Sequence, residues 1–351
     1  MVSQAGGGFR LNVLNPGGRD PEQHFGEGHD GSGEHAPVNY HAYAACTGGS
    51  FFRETARAIA AGDPILLLLR GDFRQGERAL AKLRAAGVPV AVTLKETGSH
   101  QIAGQLRDRA KLSRFLKLVA DADGCIGPTP EATDLYQTIR RRDAGVAFVP
   151  TPYPMHDRRW NFARPLEERR GILVGTREWN VPSRNHSAAL LAARRLSELT
   201  GENVTVYDFA GRTGARLLAG LGFPPGTLQM LTKRTGYSDY LTVMAQHKIV
   251  FQLDTSFVPG QVAGDALLCR VPCVGGNGAV ERLAFPDLCG VARSMSELIE
   301  VAVKLCSDVT FYEKTVSAAE DRASEHLSFH RAAEQFGHLF GQISRRSRGS
   351  V

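Results

Sequence analysis

The chain has 351 residues, 42% hydrophobic and 22% charged. That is material for two ordinary globular units, and it excludes bulk disorder and collagen-like repeats. A net charge of +6 suits a phosphate-bearing ligand or an anionic membrane surface; the basic residues are scattered, as at 140–142, 158–159 and 169–170, with no stripe interleaved with aromatics, so nucleic acid is not expected.

In chain order, a short apolar strand at 11–14 stops at Asn15-Pro16-Gly17-Gly18, a turn by composition. A polar stretch from 19 to 37, rich in Gly, His and acids, has no periodicity. A helix is expected at 50–61, a buried strand at 64–69, an amphipathic helix at 75–86 ended by Gly87, and a β-branched strand at 88–94. A helix at 102–120 follows, then a strand at 124–126, a helix with Thr129 as N-cap and Pro130 in its first turn, and a strand at 146–149. The second half repeats the alternation. Strands are expected at 172–174, 204–207, 228–231, 248–253 and 272–274, and helices at 183–199, 237–245, 261–269 and from a capping box at Ser294 to Leu305. The segment 311–343 is helical by composition.

Strand-helix alternation of this kind predicts parallel sheets covered on both faces. The fold class is therefore α/β, with two Rossmann-like, doubly wound domains facing a cleft. Residues 1–155 form the first and 156–330 the second, with 331–351 a C-terminal helix and basic tail. Pro150, Pro152, Pro154 and Pro165 with a burst of charge at 164–170 mark the linker. No apolar run approaches the ~18 residues of a membrane-spanning helix. No secretion signal opens the sequence, so a cytoplasmic location is expected, with peripheral attachment to a membrane left open. Cys46, Cys125, Cys269, Cys273, Cys289 and Cys306 contain no CxxC pair, which argues against a zinc site or disulfide framework.

Neither half has GxGxxG after its first strand, and GxxxxGK[ST] is absent, so dinucleotide enzymes and P-loop NTPases are disfavoured. His24, His29, Asp30, Glu34 and His35 have metal-capable side chains without ligand spacing, and no metal site is assigned.

The informative segment is 228–285. Asp265-Ala266-Leu267-Leu268-Cys269-Arg270-Val271-Pro272-Cys273-Val274-Gly275 resembles the donor-domain signature of GT-B glycosyltransferases, above all the retaining family-four type, in which an acid and Ala are separated from Val-Pro by four residues. The resemblance covers roughly residues 170–290 and extends to the first half only in topology. It implies that Asp265 binds the ribose hydroxyls of a nucleotide, a role an ionised carboxylate suits because it accepts two hydrogen bonds from a vicinal diol. Phe257 stands where the family often has a second acid, which leaves the sugar contact incomplete. Gly260, Gln261 and Val262 fall where backbone N–H groups approach the diphosphate. Gly175, Thr176 and Arg177 end a strand, and Arg177 with Arg184 falls where a basic pair clamps the diphosphate. Thr232 and Lys233 fall where a loop packs on the base.

In the first half, Lys95 and Glu96 replace the family's His-Asp after a strand. Lys95 would neutralise the leaving diphosphate, and Glu96 would contact the acceptor or act as base; an exposed ion pair is the competing reading. His100 lies one short loop further on, and Gly48 and Gly49 are placed in an acceptor-side loop. The implied activity is metal-independent, retaining transfer of a sugar from a nucleotide sugar to a saccharide or lipid-linked acceptor, with no cofactor. A non-catalytic nucleotide-sugar-binding protein with a degenerate GT-B fold, or a sugar-nucleotide epimerase, is the alternative.

Overall fold

The five consecutive apolar residues Ile65–Leu69 are buried on both sides of a sheet, as an uninterrupted aliphatic run in a parallel sheet requires. Ile65, Leu67 and Leu69 enter one cluster with Leu80 and Leu83 of the helix Arg74–Ala85, Phe115 of Arg109–Asp121 and Tyr136 of Pro130–Ile139. Leu66 and Leu68 enter a second cluster on the other face. A computed structural model describes residues 9–26, 36–141 and 145–349. The chain divides into one unit of Met1–Pro154 with Leu327–Val351, and another of Met155–His326.

The first unit holds β1 (Asn12–Leu14), β2 (Gln23–His24), β3 (Ser50–Phe52), β4 (Ile65–Leu69), β5 (Val90–Leu94), β6 (Gly124–Gly127) and β7 (Val146–Phe148). Their spatial order is β2-β3-β1-β4-β5-β6-β7. All neighbours are parallel except β2 with β3. The second unit holds β8 (Ile172–Val174), β9 (Val204–Tyr207), β10 (Leu228–Leu231), β11 (Ile249–Gln252) and β12 (Cys273–Gly275). Its order is β10-β9-β8-β11-β12, all parallel. The chain winds outward from β8 in one direction and from β11 in the other. The loops after β8 and β11 therefore diverge and leave a crevice at the strand C-termini, where open α/β sheets bind ligands.

Several elements differ from expectation. Residues 50–61 are not one helix: Ser50–Phe52 is a strand and Thr55–Ala61 the helix. Phe51 and Phe52 are buried beside β1, and the Ser50 amide donates to Asn12 Oδ1 at 2.8 Å. The expected 102–120 helix is two, Ser99–Leu106 and Arg109–Asp121, because Asp108 caps the second by accepting from the Lys111 amide at 2.9 Å. Likewise 311–343 is Val309–His326 and Phe329–Gly349. Helices Tyr40–Ala45, Arg212–Gly220 and Ala279–Ala284 were not anticipated.

The last helix does not stand apart as a tail. Ala332, Phe336, Leu339, Phe340 and Ile343 form a stripe at helical spacing that covers the second face of the first sheet with Tyr43. The Tyr153 amide also donates to the Leu327 carbonyl at 2.7 Å. Among the described residues, no helix is long and apolar enough to cross a membrane.

Candidate functional site

The crevice between β8 and β11 brings together most of the residues singled out in the second half. Gly175 follows β8 directly, and a β-carbon there would stand 2.7 Å from Val262 Cγ1. The strand end and the start of the helix Gln261–Leu268 are thus packed as closely as backbone permits. Gly260 is that helix's N-cap at φ +93°, a conformation only glycine adopts without strain. Asp265 lies one turn further along, 2% exposed. Tyr237, which opens the helix Tyr237–Ala245, donates its hydroxyl to Asp265 Oδ1 at 2.5 Å. Burial pushes the Asp265 carboxyl up to about 7, opposed by the Tyr237 hydrogen bond and the Arg177 charge.

Arg177 is half exposed and its guanidinium lies 5.9 Å from the centre of the Phe209 ring. Arg234, after β10, approaches the same ring at 5.3 Å. Two cations on one phenyl ring form a positive rim at the C-terminal ends of β8, β9 and β10. Thr232 and Lys233 are exposed in the same loop after β10. Aromatic rings continue the rim: Tyr207 contacts Phe209 and Tyr240, Tyr240 contacts Tyr237, and Tyr237 contacts Trp160 at 5.8 Å.

Arg184 is engaged differently from Arg177. It lies in the turn Pro182–Arg184 and its Nη1 forms an ion pair with the buried Asp254 in the loop after β11. That loop is bonded to the turn at several points: the Thr255 amide donates to the Ser183 carbonyl at 2.8 Å, Ser256 Oγ to Ser183 Oγ at 2.8 Å, and Asn185 Nδ2 to the Leu253 carbonyl at 2.9 Å. Arg184 holds the two divergent loops together. Thr176 is buried, and its hydroxyl faces His186 Nδ1 at 3.0 Å. Phe257 has φ +51°, with its amide donating to Asn277 Oδ1 at 2.9 Å.

A polar group beside this site carries no motif. Trp179, one of two tryptophans in the chain, donates from Nε1 to Asp208 Oδ1 at 3.0 Å. His186 stacks edge-on against Trp179, with centroids 4.5 Å apart. Burial lowers the His186 pKa. Asp208 follows β9 immediately, and that position at a strand's C-terminal end is the one signal by which sequence could have flagged it.

In the first unit, Lys95 and Glu96 follow β5 as expected. Lys95 forms an ion pair with Asp20, and Asp20 also accepts from Asn15 Nδ2 at 2.8 Å. Arg70, after β4, donates to the Gly17 carbonyl at 3.1 Å. The loops after β1, β4 and β5 thus meet at one edge of the sheet. Glu96 and His100 are exposed there.

Gly48 and Gly49 do not join them. They precede β3, which runs parallel to β1, so they sit at the opposite, N-terminal edge. A β-carbon on Gly49 would collide with the Leu11 carbonyl, just before β1. The acceptor-side placement of this pair rested on a helix starting at Ser50, and Ser50 starts a strand. Of the metal-capable cluster, His29, Asp30, Glu34 and His35 lie outside the described residues. His24 is in β2 with its Nδ1 at Ser50 Oγ. Among the described residues, no group of three or more His, Cys, Asp or Glu is arranged to hold a metal ion.

No protein-family model matches the chain, and no curated protein matches it. Solved structures do. HepE from Anabaena, in complex with UDP and glucose, superposes with a TM-score of 0.61 at 12% identity, over 95% of this chain and 99% of that one. Trehalose 6-phosphate synthase from Burkholderia multivorans gives 0.59 at 12% identity, over 85% and 74%. The O-GlcNAc transferase of Thermobaculum terrenum gives 0.59 at 12% identity, over 98% and 69%. These likenesses, with the two doubly wound parallel sheets, show that the chain has the GT-B glycosyltransferase fold.

Proposed function

We propose that the chain is a glycosyltransferase that takes its sugar from a nucleoside-diphosphate donor bound by the second unit. The observation that carries this reading is the Asp265–Tyr237 pair set one helical turn beyond the Gly260 N-cap, in the crevice between β8 and β11. A helix N-terminus favours phosphate, and a carboxylate at that distance along the same helix accepts from a ribose diol. HepE and the trehalose 6-phosphate synthase are sugar-handling proteins of the same fold, and HepE binds UDP-glucose.

In the reaction, the bond between the anomeric carbon and the diphosphate oxygen breaks and the acceptor hydroxyl oxygen bonds that carbon. The hydroxyl proton passes to a base, and the electron pair leaves with the diphosphate. Arg177 stabilises the growing charge. No divalent metal is required, and retention of anomeric configuration is what the family resemblance implies. The first unit takes the acceptor, a saccharide or a lipid-linked saccharide, at the edge formed by Asn15, Lys95 and Glu96.

A second reading is a nucleotide-sugar-binding protein without turnover; Phe257 at the place of the second acid implied by the resemblance and the Lys95–Asp20 ion pair would suit it, but the glycosyltransferase neighbours do not favour it. Thermal melting with a panel of nucleoside diphosphates and their sugars tests the first reading, since a ligand of the native state raises Tm by linkage. A donor that raises Tm and is consumed in the presence of saccharide acceptors supports transfer. Binding without consumption selects the second reading, and no shift with any nucleotide overturns both.

A further inference from the structure

We propose that Glu281 is a positioning residue, whose buried carboxyl props the Gly260 turn so that the first amides of the helix Gln261–Leu268 are presented to the ligand's phosphates. This rests on the nucleoside-diphosphate reading of the site.

Glu281 lies on the helix Ala279–Ala284 and is 2% exposed. Its Oε1 accepts from Gln252 Nε2, at the end of β11, at 2.8 Å. Its Oε2 has no hydrogen-bond partner among the described residues. Three glycines from two loops make room for this one carboxyl. A β-carbon on Gly260 or Gly278 would collide with Oε2, and one on Gly276 would come within 3.0 Å of Oε1. Around it the loops are bonded together. The Ala279 amide donates to the Val258 carbonyl at 2.9 Å and the Val280 amide to the Pro259 carbonyl at 3.1 Å. The segment 257–260 is therefore fastened along one side and filled from beneath by the Glu281 carboxyl.

An isolated acid in this place is costly for folding. Its carboxyl is pushed up to about 7, by burial first, with Asp254 adding to the rise and its own backbone amide, Arg184 and Arg282 opposing it. The neighbouring Cys273 thiol is itself pushed well up, by burial first and then by the charge of Glu281. An apolar side chain of the same size would avoid the orphaned oxygen, yet would leave the buried Gln252 amide only its weak bond to Cys273 Sγ at 3.6 Å and cut the link between β11 and the glycine turn. Strained or under-satisfied polar groups concentrate where geometry serves a site. Here the geometry served is a glycine at φ +93° starting the helix that carries Asp265.

The test compares wild type with Glu281→Gln, Glu281→Ala, Gly260→Ala and the double variant Gly260→Ala/Glu281→Ala. Hydrogen exchange is read over amides 258–264, and UDP binding by calorimetry. Glu281→Gln keeps the shape and the Gln252 bond, so exchange and UDP affinity stay within about twofold of wild type. Glu281→Ala speeds exchange in this segment about tenfold and weakens UDP about tenfold, with little change elsewhere. Gly260→Ala is damaging in wild type, and part of that damage is relieved in the double variant because the collision with Oε2 is gone. Coupling between touching residues appears as such non-additivity. Wild-type exchange over 258–264 in Glu281→Ala, or strictly additive effects in the cycle, overturns the proposal. Glu281→Asp withdraws the carboxyl by one methylene and replaces Glu281→Ala, with the same expected direction, if the latter does not fold. If wild type binds neither UDP nor any other nucleoside diphosphate, the nucleotide reading falls, while exchange and the Tm form of the cycle still decide whether Glu281 holds the turn.

Discussion

Tyr237 donates its hydroxyl to Asp265 Oδ1 at 2.5 Å, with both side chains brought together from helices that follow different strands. The bond fixes the orientation of the carboxylate and occupies one of its oxygens; under the proposed function the other is left to accept from a ligand diol. Removing the carboxylate in Asp265→Ala should weaken UDP binding by about 1–3 kcal/mol, the scale of lost charged hydrogen bonds. Tyr237→Phe should give a smaller loss in the same direction. Calorimetry on folded variants checks this, and unchanged UDP affinity in Asp265→Ala removes Asp265 from the donor site.

The Asp265 carboxyl titrates near 7, raised chiefly by burial. A native pKa above the unfolded one means the folded state holds its proton longer. The stability this confers is present at low pH and is lost as pH rises through about 7. Asp265→Asn has no such proton. Its Tm relative to wild type should therefore be a few degrees more favourable at pH 8 than at pH 5. Since a diol donates best to the ionised form, the wild-type advantage over Asp265→Asn in UDP affinity should grow over the same interval. A flat difference in Tm across that range contradicts the assignment.

Turnover should survive chelation of divalent metal by EDTA. The reasoning is electrostatic: Arg177, Lys233 and Arg234 stand at the strand ends, and the helix N-terminus adds its dipole, which together can carry the leaving diphosphate. Activity lost to EDTA and restored by manganese or magnesium refutes it.

Arg177→Ala should cut turnover about a hundredfold or more while changing binding of a nucleoside monophosphate little, because the charge it meets grows as the glycosidic bond breaks. Arg177→Lys should recover part of the loss, keeping the charge without the planar fork. Steady-state kinetics with the true donor, paired with monophosphate titration, reads both. A wild-type rate in Arg177→Ala moves the phosphate contact elsewhere on the rim. Arg184 is a poor substitute, since it is tied to Asp254.

Phe336→Ala should cost about 3–5 kcal/mol of the first unit's stability, as fully buried aromatic side chains do when truncated. Phe336 is 0% exposed and contacts Tyr43 edge-on at 5.4 Å. Urea denaturation followed by a probe in the first unit gives the number; a change below 1 kcal/mol would mean the last helix is not part of that core.

How much of this was readable beforehand depended on whether the signal was local. Ile65–Leu69 and the helix Tyr237–Ala245 lay within a residue of expectation, because an aliphatic run and an apolar periodicity are written in neighbouring residues. Asp265 was reachable because its spacing to Val271-Pro272 is short. Glu281 was not. Its meaning comes from Gly260, Gly276 and Gln252, up to 29 positions away in the chain. Trp179 and Asp208 are likewise joined across 29 positions. Gly48 and Gly49 were misplaced for a related reason: Ser50-Phe51-Phe52 reads weakly as either helix or strand, and only pairing with β1 decides, which moves the glycines to the other edge.

The path of the chain through its two units has a consequence for how the protein is made. The first sheet is begun at Asn12, yet one of its faces is covered by Phe329–Gly349, synthesised only after all of Met155–His326. During translation that face, with Leu66, Leu68 and Ala91, is covered only in part, by the helix Tyr40–Ala45, while the second unit is completed. The later-made unit can therefore fold first, and the earlier one completes its core only when its closing helix emerges.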